Sequence, residues 1–251
     1  KQMKVSIITA VFNNKDTIES AINSVLGQNY KNIEYIIIDG GSMDGTLEVI
    51  KKYENKISKI VSEPDNGIYD GMNKGLNLAT GDLIGILNSD DMYVSKDVIK
   101  SVVNEIQGKN ADCCWGDMVY VDRFDTNKIV RYWKSTSYKK GLFRTGWMPP
   151  HPTFFVRREV YEKYSNFNLN FRISADYEIM LRFLERYKIE SCYIPRVLVK
   201  MRTGGNSRPS LFNTLKANIE CYRAWRINEL KIKPFIIFSK PLSKIGQYIK
   251  R

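Results

Sequence analysis

Residues 83–93 read LIGILNSDDMY. Leu83 to Leu87 form an apolar run with a single Gly, the pattern of a strand buried on both faces. The run stops abruptly at Asn88, Ser89, Asp90 and Asp91. Two adjacent anions repel each other and resist leaving water, so they need a cation or open solvent beside them. A polar turn capping the next helix satisfies that need, and so does a metal site.

Upstream, strand and helix patterns alternate. KVSIITAVF reads as a buried strand, and DTIESAINSVLGQ as an amphipathic helix with Ile18, Ala21, Ile22, Val25 and Leu26 on one face. IEYIIIDGG is a second strand entering a Gly-Gly turn, after which Asp44 stands where an N-cap would, before GTLEVIKKY. ISKIVSE is a third strand, ending at the turn Pro64–Gly67. A helix over IYDGMNKGLNLA follows, with Gly81 as its expected C-cap. The run predicts an α/β protein whose mainly parallel sheet carries helices on both faces. Such sheets bind ligands at the carboxyl ends of their strands. Three of those ends are Phe12-Asn13-Asn14, Asp39-Gly40-Gly41-Ser42 and Asn88-Ser89-Asp90-Asp91, expected side by side. Neither a GxGxxG nor a GxxxxGK[ST] stretch occurs, which argues against a dinucleotide fold and a P-loop enzyme.

Downstream, ADCCWGDMVYVD and KIVRYW read as a strand pair, followed by a loop ending in GWMPPHPTFF. ADYEIMLRFLERY reads as a helix and ESCYIPRVLVKMR as a further strand. Residues 211–230 form a basic amphipathic helix, and KPFIIFSKPLSKIGQYIKR is a basic, apolar tail interrupted by Pro234 and Pro241. Of the net charge of +12, residues 201–251 supply a surplus of nine, eleven Lys and Arg against Glu220 and Glu229. That surplus suits an anionic membrane surface or nucleic acid. No apolar run reaches the roughly 18 residues needed to span a bilayer. The apolar start lacks a basic leader and a small-residue cleavage site, so no signal peptide is expected. One His and four Cys without CxxC spacing argue against a zinc site and point to a reducing cytoplasm.

VSIITAVFNNKDTIESAINSVLGQNYKNIEYIIIDGGSMDGT and SEPDNGIYDGMNKGLNLATGDLIGILNSDD together resemble glycosyltransferase family 2, with the GT-A fold. They are closest to the branch that builds bacterial O-antigen and other surface polysaccharides. HPTFFVRREVYEKYSNFN and ISADYEIMLRFL are similar to that branch as well. The resemblance covers roughly residues 4–205 and implies a GT-A catalytic domain over 1–205. Within it, 1–110 would be a Rossmann-like nucleotide-sugar-binding half and 111–205 an acceptor half. Residues 206–251 would be a basic C-terminal extension.

The resemblance also implies roles. The family's Asp-x-Asp metal motif falls on Asn88-Ser89-Asp90, with Asn in the first place; Asp90 is then the main ligand for Mn²⁺ or Mg²⁺ and Asp91 its support. Such a cation neutralises charge growing on the departing diphosphate. Thr9, Ala10, Phe12, Asn13, Asp39, Asn73, Lys74, Asn88 and Ser89 fall on the donor side, with Asp39 placed to accept a hydrogen bond from uracil. Asp176 falls on the general base of an inverting transfer. Trp147 and His151 are expected to shape the acceptor site. The implied partners are a UDP-linked or other nucleotide-diphosphate sugar and a lipid-linked saccharide on the cytoplasmic membrane face. An anionic membrane surface, met peripherally by the tail, and a homodimer complete that expectation. A nucleotidyltransferase would share the metal logic but leave Asp176 idle; a nucleic-acid-binding module would leave the acidic strand ends without a purpose.

Overall fold

The computed structural model of the chain describes residues 2–204 and 211–231. The parallel half contains β1 (Val5–Val11), α1 (Lys15–Leu26), β2 (Ile33–Asp39), α2 (Thr46–Lys51), β3 (Lys59–Ser62), α3 (Ile68–Leu78) and β4 (Leu83–Ile86). After it come β5 (Asp91–Tyr93), α4 (Val98–Lys109), β6 (Cys113–Val121), β7 (Ile129–Trp133) and β8 (Phe155–Arg157). The chain then forms α5 (Arg158–Tyr164), α6 (Ala175–Leu181), β9 (Ser191–Arg202) and α7 (Leu211–Ile227).

Among the described residues the strands form one sheet in the order β3-β2-β1-β4-β8-β6-β9-β5, with β7 paired to β6. β2, β1 and β4 are parallel neighbours, so their carboxyl ends do lie side by side. The sheet is less uniformly parallel than the alternating pattern predicts. β8 runs antiparallel to β4 and β6, and β5 antiparallel to β9, while β6 and β9 are parallel. A three-residue strand such as β5 or β8 has too few side chains to show a period.

Alternate residues of each strand feed two cores, one on each face. Ile7, Val11, Ile37 and Leu83 meet α1, α2 and α4 through Ile18, Ile22, Ile50, Val98 and Val102. Ile8, Ala10, Ile36, Ile38, Ile84 and Ile86 meet α3, α5, α6 and α7. α3 lies close against β1, because a Cβ on Gly75 would come within 2.4 Å of Ile8 Cγ2. Gly81 is not the cap of α3; the helix ends at Ala79, and a Cβ on Gly81 would lie 2.6 Å from the Ser6 backbone N. Cys221, Ala224 and Trp225 of α7 are buried in the same core as Val160, Met180 and Phe183. Helix α7, which falls within the stretch expected as a C-terminal extension, thus packs into the core that it shares with α5 and α6. The tail at 232–251 lies outside the described residues, and among those described no helix is long and apolar enough to cross a membrane. Cys113, Cys114, Cys192 and Cys221 are all buried thiols outside any disulfide.

At the opposite end of the sheet from the polar strand ends, Glu34 is buried inside a hydrogen-bonded knot. Its carboxylate accepts from Ser6 Oγ (2.6 Å), Thr80 N (2.8 Å), Thr80 Oγ1 (2.8 Å) and Lys4 Nζ (3.0 Å). Burial alone pushes a carboxyl pKa up, but these donors outweigh it and hold Glu34 at about 2, against an ordinary 4.5. A depressed carboxyl pKa adds stability above the unfolded value, and that stability is lost as pH falls from 4.5 toward about 2. Glu34→Gln is expected to cost roughly 1–3 kcal/mol at neutral pH. It should also flatten the acid side of the stability–pH curve. Urea denaturation at a series of pH values checks this, and an unaltered acid limb would contradict it.

Candidate active site

A cavity of about 710 Å³ opens over the carboxyl ends of β1 and β4. Ala10 to Asn14 and Asn88 to Asp90 line its floor. Asp65, Gly67 and Ile68, leading into α3, form one wall; Tyr120, Arg123, Val130, Arg131 and Met201 to Gly204 form the other.

The floor is held by short polar links between strand ends. Asn14 Nδ2 donates to Ser89 Oγ at 2.8 Å, and Thr17 Oγ1 donates to Asn14 Oδ1 at 2.8 Å. Asn13 adopts a left-handed conformation (φ 47°). Its N–H donates to Ser42 Oγ at 2.8 Å, and its Oδ1 accepts from Met43 N at 2.9 Å. Phe12 is 51% exposed at the cavity edge, a flat apolar face available for stacking.

The two adjacent carboxylates are in different surroundings. Asp90 lines the cavity, whereas Asp91 is fully buried at the start of β5. Burial raises the Asp90 pKa, with Arg123 and Arg202 opposing the rise. Burial, then repulsion from Asp90, raises that of Asp91 well above the carboxylate range. Asp91 Oδ2 accepts from Asn88 Nδ2 at 2.9 Å. Arg202 closes the far wall: Nε donates to Arg123 O (3.1 Å), and Nη1 to Asp90 O (3.1 Å) and Ser20 Oγ (3.0 Å). Arg123 Nη1 donates in turn to Gly204 O at 3.0 Å. Of the adjacent pair, Asp90 alone therefore lines the cavity, together with Arg123 and Arg202, whose charges favour its ionised form. Among the described residues no three His, Cys, Asp or Glu side chains converge. A Mg²⁺-type ion suits such a place when phosphates and water complete its shell.

Several expected donor-side residues do not line the cavity. Thr9 is buried, with its hydroxyl 3.2 Å from Tyr35 Oη. Asp39 is buried too; it accepts from Ser62 Oγ at 2.6 Å and from Ser42 N at 3.2 Å, closing the Gly40-Gly41 turn. Asn73 is committed on both sides to Phe167, through the Phe167 O (2.9 Å) and N (3.0 Å). Lys74 pairs with Glu63 at 2.8 Å and donates to Pro64 O. Asp91, expected beside the metal, is the buried partner of Asn88. Ala10, Phe12, Asn13, Asn88, Ser89 and Asp90 are brought together as expected.

A second polar group lies behind the α3 wall. Asp176, in the first turn of α6, accepts from Tyr177 N at 2.8 Å and Tyr69 Oη at 3.3 Å. His151 packs edge-on to Phe167, with centroids 5.8 Å apart, and burial holds its pKa down against the pull of Asp176. Trp147 is half-buried within an aromatic cluster of Trp115, Tyr138 and Phe143, so its ring faces are largely engaged by protein. Arg123, Arg202 and Asp65 were not anticipated. The faint signal for Arg202 was a cation at a strand's carboxyl end ahead of Gly204-Gly205.

Residues 6–165 match the family described as Glycosyl transferase family 2. An uncharacterised glycosyltransferase of Mycobacterium tuberculosis is 36% identical over 180 residues, covering 71% of this chain and 68% of its own. Residues 1–349 of Staphylococcus aureus TarS, solved in complex with UDP, share the fold with a TM-score of 0.69 at 16% identity, over 97% of this chain and 72% of that one. A Pyrobaculum calidifontis mannosyltransferase solved with GDP-Man and Mn²⁺ gives 0.67 at 16% identity, over 98% and 71%. The shared architecture is the GT-A fold.

The contrast between the two aspartates is testable. Because burial already favours uncharged Asp91, Asp91→Asn should change stability by less than about 1 kcal/mol. Asp91→Ala strands the Asn88 amide and should cost roughly 1–3 kcal/mol. Urea titrations of both variants check this; equal losses would contradict the buried-neutral assignment.

Proposed function

Since the chain belongs to glycosyl transferase family 2, we propose that it moves a sugar from a UDP-linked donor to a hydroxyl of a lipid-linked saccharide, with inversion, in making a bacterial surface polysaccharide such as O-antigen. The observation that carries this reading is the Asp90 carboxylate at a strand end, lining a 710 Å³ cavity together with Arg123 and Arg202. A nucleoside diphosphate is a flat base joined to a compact anion. Phe12 offers the flat face and the two guanidinium groups offer charge for the anion. The UDP complex of TarS supports a uridine donor, and the Mn²⁺ complex of the mannosyltransferase supports a divalent ion. Asp90 would hold that ion, which supplies neutralisation of charge on the leaving diphosphate.

The protein's own part is to orient and to move one proton. Asn13, Asn88 and Ser89 fix the floor against which the donor rests. Asp39 braces the adjoining turn from within and shapes the base-binding edge. The acceptor oxygen attacks the anomeric carbon as the carbon–phosphate-oxygen bond breaks on the opposite face. Asp176 takes the hydroxyl proton, and the nucleoside diphosphate leaves with the bonding pair. His151, held neutral by burial, shapes the acceptor side without competing as a charged group. Peripheral contact of residues 232–251 with an anionic membrane would bring a lipid-linked acceptor within reach.

Three measurements test the reading. A panel of nucleotide sugars, followed by UDP release in the presence of Mn²⁺, should select a UDP-sugar; selection of none would overturn the donor assignment. Asp90→Ala, or EDTA added to the wild type, should abolish release while the circular dichroism melt stays near wild type. Asp176→Asn should slow release by at least ~10²-fold, the low end for general-base catalysis, with UDP affinity retained. Normal turnover in that variant would remove Asp176 from the base role.

A further inference from the structure

α7 grips the chain around Asp176. The Glu220 carboxylate accepts three backbone N–H bonds from the segment entering α6: Arg172 at 3.1 Å, Ile173 at 3.0 Å and Ser174 at 2.8 Å. Ser174 Oγ returns a bond to Ala217 O at 3.3 Å. Further along α7, Trp225 Nε1 donates to Tyr177 Oη at 2.9 Å, and Asn228, just past the helix, donates to Glu178 Oε1 at 2.9 Å. Residues on both sides of Asp176 are thus tied to one helix. From the other side comes the Tyr69 hydroxyl, whose proton is shared between Ile173 O (2.9 Å) and Asp176 Oδ1 (3.3 Å). Tyr69 follows Ile68, which lines the cavity, so the first turn of α3 carries the cavity wall on one residue and the Asp176 contact on the next.

Three N–H groups on one carboxylate are charge-assisted bonds, stronger than neutral ones, and they fix a backbone rather than a mobile side chain. A base displaced by about 1 Å loses on the order of 10²-fold in rate, so this mounting has direct kinetic weight. We propose that Tyr69 and Glu220 are positioning residues for Asp176, Tyr69 fixing the direction of its carboxylate and Glu220 fixing the backbone that carries it. This rests on Asp176 acting as the base. The titratable and charged groups around Asp176 are Tyr69 from α3, His151 from the loop before β8, and Glu220 from α7. Tyr69 is held un-ionised by burial and by the two carboxylates, so its hydroxyl remains a donor.

The test uses UDP release from the nucleotide sugar that the panel selects, with water as acceptor. Tyr69→Phe removes only the hydroxyl. It should lower kcat about 10-fold, leave donor KM within about twofold, and move the acid limb of the kcat/KM–pH profile upward, because a carboxylate that loses a donor binds its proton more tightly. Glu220→Ala should lower kcat at least as far with UDP affinity unchanged. Glu220→Gln, which keeps one acceptor oxygen for the Ile173 and Ser174 N–H groups, should recover part of the loss. Should Glu220→Ala fail to fold, Tyr69→Phe and Glu220→Gln decide the matter. Wild-type kcat and an unmoved acid limb in Tyr69→Phe, with Asp176→Asn inactive, would overturn the positioning roles alone. Normal turnover in Asp176→Asn would overturn the base reading and this proposal with it.

Discussion

Two aspartates at the end of a buried strand are tolerable here because one half-buried arginine lies beside them. Arg202 comes from the far end of β9, the longest strand among the described residues, and reaches the Asp90 carbonyl, the Ser20 hydroxyl on α1 and the Arg123 carbonyl in the β6–β7 hairpin. The bonds to Asp90 and Ser20 join the mixed part of the sheet to the parallel part, and the bond to Arg123 ties β9 to the neighbouring hairpin. Burial lowers the Arg202 pKa, and the Asp90 carboxylate foremost opposes that loss, so this cation and anion sustain each other's partial burial. Without this closure the strand ends of β1 and β4 would be a solvated edge. With it they become the floor of a cavity that has a second wall.

The same economy governs the second half of the site. α6 has seven residues and turns directly into a π segment at Arg182–Arg186, too short to define a direction by its own hydrogen bonds. Its direction is supplied by neighbours. Glu220 holds its entry, and Arg182, paired with Glu178 at 3.0 Å, bonds the Tyr164, Ser165 and Asn166 carbonyls. A region that looks like a separate extension by charge and composition is thereby part of the core around the candidate base.

What was legible in the sequence was what is local. β1, β2 and β4 announce themselves as short apolar runs and α1 and α3 as periodic sets of buried side chains, Ile18–Ala21–Ile22–Val25 being the clearest. The glycosyltransferase motifs led to Ala10, Phe12, Asn13 and Asn88 to Asp90, all found on the cavity. What was illegible depended on convergence between distant elements. The sequence around Arg123 and Arg202 does not show that they share a cavity with Asp90, since that follows from the antiparallel turn of β6–β7 and the length of β9. Asp39 and Asp91 sit at strand ends like Asp90, yet each turns inward to satisfy local N–H or O–H donors. The direction of a side chain at a strand's last residue is set by the loop that follows, and period-two reasoning stops there. Gly81 reads as a helix cap, whereas its lack of a side chain serves an approach to β1 that only the folded chain creates.

The four buried thiols give the molecule a built-in record of its own breathing. Cys114 and Cys192 face each other across β6 and β9, and Cys221 sits on the buried side of α7. An alkylating reagent reaches none of them until the packing over it parts, so each modification rate counts openings of a different region. If α7 lifted away independently, Cys221 would be capped long before the pair in the sheet; a single common rate would mean that helix and sheet come apart in one event.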